Sequence, residues 1–519
     1  MNSPQRKILK KRTQELGNIS NRSDLHRFRK DLLKKLEMKT VIKENHERAI
    51  EEMKFNFTKS FFSKCSNLFA SVGADVLTVY DDNHFGDHVA LVCQFKNTEN
   101  LKAKTKGGPL YCLSWVDAKR SEHEQGDALI AVAGEDMVVS IVSVSESAVV
   151  QILRGGHAKA PITGLATNKN LSDIVVSLSE EEQKICMWSL KENRVIAEII
   201  NVGIGCKTMT LLEDGSLVCG FKTGSIGKRF TNFVSLISSV ANTTTTTYPK
   251  KMSSVDASKD SKCYATVNFG FGQASAKAKG GDKSIGIDCI QSFEEDIEEG
   301  EDNKKKKQKK TTTTTDNNNN NTKKKKEDSI INAPKRRQIL VAKSASSEVS
   351  VVDFSNGFDQ AKIETTFRVE DAKSNAPAPT SKTNGKRTVS FGLSHDGAFL
   401  ACGNGTRDGI VYVYDLNAKK SGDDGLSDDA AQPSSPLLAA KLLPHERHSG
   451  TMLDVIRSCA IAKDCRHVLG TTDANDGTNR AGIVFRYEII PEQPKEYEPK
   501  SEGGEKEEAV VNVVDDKEN

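Results

Sequence analysis

Along the chain one pattern recurs: an apolar run, a small-residue pair with Gly, a short polar turn, and a second apolar run ending near Tyr, Trp or Phe. Residues 68–81 read LFASVGADVLTVYD, 128–144 ALIAVAGEDMVVSIVSV, 174–190 IVVSLSEEEQKICMWSL, 398–416 AFLACGNGTRDGIVYVYDL and 467–487 HVLGTTDANDGTNRAGIVFRY. An apolar run this short, closed by turn residues, predicts a strand buried on both faces, so each phrase predicts a hairpin of two such strands. Repetition at roughly 40 residues is the signature of a β-propeller. Counting partial copies gives seven. Blade 1 covers about 54–95, blade 2 opens at LYCLSW (110–115), blade 3 covers 157–190 and blade 4 covers 206–230. Blade 5 is split: 287–293 and 339–354 are read as the outer parts of one blade. Blades 6 and 7 cover 388–416 and 455–487. The fold class expected is all-β, a seven-bladed WD40 β-propeller with an N-terminal helical extension and disordered insertions, whose last sheet is closed by an N-terminal strand.

The third copy carries the most complete WD-type phrase: Gly156-His157, an apolar strand at 162–166, and Met187-Trp188 about 30 residues on. In such a repeat a turn Asp can hold the His while the Trp packs on the blade, so His157 is read as a structural residue rather than a catalytic one.

Outside the repeats the composition changes. Hydrophobic residues make up 36% and charged residues 28% of the 519, and the mean hydropathy is −0.50. That is polar enough to predict sizeable unpacked segments. Residues 1–53 form a basic, partly helical extension, with 14 Lys/Arg against 6 Asp/Glu in the first 50. A helix is predicted from Asp24, its cap, to Met53, with Leu25, Phe28, Leu32 and Leu36 on one face. That face suits either a partner or the propeller itself. The propeller domain spans 54–490, interrupted by a polar surface excursion at 231–283, a low-complexity insertion at 294–337 and a loop at 417–444; an acidic tail follows at 491–519. The insertion runs EEDIEEGED, KKKKQKK, TTTTT, DNNNNN, KKKK, from which no core can be packed. Lys323–Lys326 and Lys335–Arg337 have the spacing of a bipartite nuclear import signal, and the same charges could attract nucleic acid through counterion release.

Candidate chemistry is sparse. The net charge of +3 argues for no particular polyanion. The 11 cysteines form no CxxC pair and many, such as Cys93, Cys112, Cys186, Cys219 and Cys402, lie in apolar strand contexts, which predicts buried reduced thiols in the cytosol or nucleus rather than disulfides. Cys459, Cys465 and His467 lack zinc-site spacing, and His445 and His448 read as loop residues. No secretory signal or membrane span is expected. There is no nucleophile elbow, P-loop, HExxH or dinucleotide fingerprint, so neither catalysis nor a cofactor or metal is expected.

The order of phrases resembles the Polycomb ESC/EED family, the WD-repeat subunit of the complex that methylates histone H3 repressively. The matching stretches are KFNF with LFASVGADVLTVYD, LYCLSW with ALIAVAGEDMVVSIV, the Gly156-His157 blade ending at Trp188, and VSFGLSHDGAFLACGN with VIRSCAIAKDCRHVLGTTD. The most specific is IDCI followed by QILVAKSASSEVSVVDF, a hairpin with a low-complexity insertion. The resemblance covers about 54–488. It implies a nuclear, noncatalytic scaffold, also present in the cytoplasm in some settings, that clasps a helix of a SET-domain methyltransferase on one face. It also implies an aromatic cage for trimethyl-lysine of a histone tail at one end of the channel. Carried over, the cage positions fall on Tyr111, Glu51, Arg387 and Thr388, with Phe57 as a nearby substitute aromatic. The alternatives are a general WD40 adaptor in an origin-associated, RNA-processing or ubiquitin-ligase complex, and a chromatin or RNA binder acting through basic arms.

Overall fold

In the computed structural model the described residues are 19, 22–44, 49–58, 67–84, 88–99, 106–117, 127–168, 171–222, 226–231, 252–271, 286–296, 336–344, 347–357, 360–370, 389–405, 409–417, 436–444, 455–475 and 480–489. They build seven sheets, each with four antiparallel strands, around one axis. Blade 3 illustrates the order: Gly164–Ala166 lies nearest the axis, then Ile174–Ser179, Lys184–Ser189 and Arg194–Ile200.

The phrase seen in the sequence is the middle of each blade. Leu129–Gly134 and Val139–Ser143 of blade 2 are buried at every position, while its outer strand Ala148–Leu153 is mostly half-exposed. Middle strands are covered on both faces by neighbouring blades, so their sequence is continuously apolar rather than alternating. Accordingly the core is divided into seven apolar clusters, one at each interface between adjacent blades. The cluster of Ile50, Met53, Phe55, Phe69 and Tyr80 with Ala460, Leu469 and Val484 joins blade 1 to blade 7 and closes the ring. Close approach also explains Gly134, which ends the second strand of blade 2. A Cβ there would lie 1.9 Å from the carbonyl oxygen of Pro109.

In blade 3 the WD-type phrase becomes a hydrogen-bonded chain. Trp188 Nε1 donates to Ser177 Oγ (2.7 Å), which lies 2.8 Å from His157 Nε2, and His157 Nδ1 is 3.1 Å from Glu182 Oε2. A carboxylate only accepts, so Nδ1 carries the proton and Nε2 accepts from the serine. The expected turn Asp is Glu182, which also accepts from the backbone N–H groups of Ala158 and Ala160. Burial lowers the His157 pKa against the opposing pull of Glu182 and keeps the ring neutral. In blade 1 a carboxylate takes over the linking role: Glu44, 3% exposed, accepts from Ser71 (2.8 Å) and Tyr80 (2.9 Å).

Several expectations are corrected. The N-terminal helix, α1, spans Arg22–Leu33 only, so Asp24 sits in its first turn, and Leu36–Lys43 is a strand. That strand pairs with Arg480–Ile489 from Leu36↔Ile489 to Lys43↔Ile483 and is the outer strand of blade 7. Helix α1 packs on its own propeller. Leu33 joins the core between blades 6 and 7, and His26 stacks on Phe399 at 4.9 Å. Lys30 donates to Asp415 (2.9 Å), and Arg29 pairs with Asp396.

The stretch 231–283 is not wholly an excursion: Tyr264–Asn268 is the fourth strand of blade 4, and Ser253–Asp256 adds a parallel fifth strand to blade 3. Within 417–444, Leu437–Leu442 is the outer strand of blade 6. In blade 5, Ile287–Asp296 and Arg336–Ser344 are the inner strands rather than outer parts, pairing from Ile287↔Ser344 to Asp296↔Arg336. The motifs at 302–335 and 491–519, together with His445 and His448, lie outside the described residues.

The closing seam holds a buried charge network. Arg486, in the third strand of blade 7, donates Nε to Asp82 Oδ1 (2.6 Å) and Nη2 to the Asp82 carbonyl (2.9 Å), and pairs with Glu488. His467 contacts Asp82, and Lys39 of the closing strand pairs with Glu488. The seam is therefore tied by blade 1, blade 7 and the N-terminal strand together.

Candidate functional site: the central channel

The first strands of the blades surround a cavity of about 360 Å³ that runs along the axis. An innermost strand has one hydrogen-bonding edge with no strand beyond it, so its backbone groups need other partners. Side chains of adjacent blades supply them. Between blades 1 and 2, Glu52 accepts from Leu113 N (2.8 Å), Lys54 donates to Leu113 O (2.9 Å), and Lys54 and Glu52 pair at 2.7 Å. Between blades 4 and 5, Thr208 accepts from Ile290 N (3.3 Å), and Lys207 pairs with Asp288 at 2.5 Å. Gln291 donates to Phe391 O (2.7 Å) between blades 5 and 6. Ser114–Thr167 (2.9 Å) and Ser390–Ser458 (2.8 Å) link further blades. These ties give a wall that is cross-braced by polar side chains.

Glu51 and Tyr111, two of the positions expected to form a cage, line this channel near the starts of their strands. The Tyr111 hydroxyl donates to Glu135 (2.8 Å). Arg387 and Thr388 lie outside the described residues. Phe57 lies two residues past the end of the first strand of blade 1, six residues beyond Glu51. At about 3.3 Å per residue it is roughly 20 Å away, at the opposite mouth, and cannot join the other two in a cage.

The far mouth is one that sequence reasoning did not single out. Phe57 of blade 1 and His395 of blade 6 meet edge to face at 5.4 Å, and Phe293 of blade 5 lies beside them against the turn at Gly397. Asp117 of blade 2, Asn168 of blade 3 and Glu213 of blade 4 complete the rim. Asp117, Asn168 and Glu213 each sit one or two residues past the end of a first strand, but nothing local marks them as neighbours of the aromatic side chains.

The cysteines offer no reactive thiol here. All ten described cysteines are buried. Burial pushes Cys289 up to about 11 and Cys186 and Cys402 up to about 12, so they stay protonated at neutral pH. Among the described residues no group of His, Cys, Asp and Glu is placed to hold a metal, and no helix is long and apolar enough to cross a membrane. Cys459 and Cys465 are core residues, and His467 belongs to the seam.

No protein-family model matches the chain, and no curated protein matches it in sequence. The fold itself is plain: a seven-bladed β-propeller, an architecture typical of scaffold and adaptor proteins.

Proposed function

We propose that this protein is a noncatalytic scaffold subunit of a Polycomb-type histone H3 lysine methyltransferase complex. The observation that carries the reading is the fifth blade. Its IDCI strand and its QILVAKS strand pair directly, and the stretch 297–335 enters between Asp296 and Arg336 at the tip of that hairpin. This is the arrangement that the resemblance implies for that hairpin. The buried, protonated thiols and the cross-braced channel fit a binding platform rather than a catalytic site. The basic runs at 323–326 and 335–337 fit nuclear import. A SET-domain enzyme is the partner in this reading, and scaffold function does not require the methyl-lysine cage.

The test is affinity purification of the tagged chain from its own cells, followed by measurement of the repressive H3 mark after its removal. Co-purification of a SET-domain protein with loss of the mark is expected. Recovery of a different stable assembly, with the mark intact, overturns it. One observation favours a general WD40 adaptor instead. The Tyr111 hydroxyl is tied to Glu135, and Glu51 occupies a position that the resemblance assigns to an aromatic cage residue. Titration of trimethyl-lysine histone H3 peptides addresses that point, and saturable, methylation-dependent binding would count against the adaptor reading.

A further inference from the structure

Each blade ends in an outer strand, and an outer strand has one edge left to pair. The described residues treat these edges differently. On blade 3 the edge is covered: Ser253–Asp256 adds to Arg194–Ile200 as a parallel fifth strand, so an outer edge of this propeller does accept one more strand. On blade 7 the outer strand carries exposed Glu37, Lys39 and Lys43, and on blade 5 exposed Lys362 and Arg368, charges that discourage pairing. Helix α1 and Leu36–Lys43 approach the outer strand of blade 6.

Blade 1 lacks such a guard along most of its outer strand. His88–Lys96 is nine residues long, and no strand lies beyond it among the described residues. Leu91 is 59% exposed and Val92 41%. A bulge sets them there: Tyr80 pairs with Leu91 and Val79 with Cys93, which leaves Val92 as the extra residue. Directly opposite residues share a face of the sheet, and Tyr80 belongs to the seam cluster. Leu91 therefore projects on the blade 7 side, as does the half-buried Val89 of the same cluster. Lys96, its side chain 65% exposed, ends the strand. Lys43 is exposed at the matching end of the neighbouring outer strand, since both strands lead into the first strand of the next blade.

The chain itself holds a segment of matching chemistry. Residues 509–514 read AVVNVV, four valines in six, between Glu505, Glu507 and Glu508 on one side and Asp515 and Asp516 on the other. A β-branched run of this length favours a strand. Ile489, paired with Leu36, ends the third strand of blade 7, the neighbour of blade 1. The 19 residues 490–508 can span up to about 60 Å, enough to reach the adjoining blade.

We propose that residues 509–514 pair with His88–Lys96 of the same chain as a fifth strand of blade 1, their valines packed on Leu91 and Val92 and their acidic flanks near Lys96 and Lys43. An extended strand supplied from outside has to displace this segment to reach the edge. The proposal does not rest on the Polycomb reading.

The experiment is hydrogen-exchange mass spectrometry on the full chain, wild type against Val511→Pro/Val513→Pro. Proline removes the backbone donors that a ladder needs, and a change confined to 509–514 leaves the sequence of the blades intact. Exchange over 88–96 should be at least about tenfold slower in the wild type, with protected amides over 509–514. Leu91→Lys, at an exposed position, should remove the protection of 509–514. A labelled peptide of residues 505–517 should bind the proline variant at least about tenfold tighter than the wild type, whose own segment competes at high effective concentration. Equal exchange over 88–96 in wild type and proline variant overturns the proposal. So does protection of 509–514 that survives Leu91→Lys, or a peptide that does not bind the proline variant. Protection lost on dilution also overturns it, since the occupant is then a second copy of the chain.

Discussion

Replacing Arg486 with methionine tests whether the seam network, and not apolar packing alone, locks the ring. The guanidinium is 1% exposed and makes two hydrogen bonds to Asp82 and an ion pair to Glu488, both themselves nearly buried. Methionine keeps much of the volume but leaves two buried carboxylates that share only His467 and Lys39. Removing one partner from a buried charge network costs about 3–5 kcal/mol, a large part of the roughly 5–15 kcal/mol that holds a domain folded. At roughly 2 °C per kcal/mol for a large domain, the melting temperature should fall by about 6–10 °C. Calorimetry reads that loss. Hydrogen exchange locates it, with loss of amide protection expected first in Leu36–Lys43, the strand paired to Arg480–Ile489. Adding Asp82→Asn and Glu488→Gln should restore part of the stability, because the uncompensated charges are then gone. A destabilisation under about 0.5 kcal/mol, or unchanged protection of the closing strand, refutes the reasoning.

Three further outcomes are expected. Ser177→Ala strands the buried Trp188 N–H and the His157 acceptor, at a cost of about 1–3 kcal/mol in urea unfolding; a neutral result would show that the chain in blade 3 contributes nothing. Burial raises the Asp415 pKa, but hydrogen bonds from His26 and Lys30 outweigh it and hold the carboxyl below the ordinary range. Docking of α1 is therefore fully supported above about pH 4 and weakens as pH falls through the ordinary carboxylate range towards the lower folded value. Asp415→Asn should weaken it at neutral pH, seen as faster amide exchange over Arg22–Leu33, and unaltered exchange in both cases would refute the docking role. Finally, at least ten of the 11 thiols should resist a disulfide reagent at neutral pH until the protein unfolds, and a second fast-reacting thiol in the native state contradicts their burial.

How much of the site was legible depends on which residues touch across blades. Glu51 and Tyr111 were singled out only by the family resemblance, and both line the channel. The arc of Phe57, Phe293 and His395 could not, since three blades must first be set in a ring before those residues become neighbours. Likewise Asp82 and Arg486 are 404 residues apart, and nothing local in YDDNH or VFRYE marks them as partners.

The hairpin phrases, by themselves, determined the all-β class and the count of seven. Strands buried on both faces must be apolar throughout, and that requirement shows in each copy. They also determined that His157 and Trp188 belong to one structural unit. Only the tertiary structure decided which weak segments complete the sheets. Leu36–Lys43 continues the helical spacing of Leu25, Phe28 and Leu32, yet it is a strand because the open edge of Arg480–Ile489 offers hydrogen bonds along its length. Ser253–Asp256 and Tyr264–Asn268, short and polar, are strands for the same reason. An edge strand draws its conformation from the neighbour it pairs with, so its own sequence carries little of the instruction.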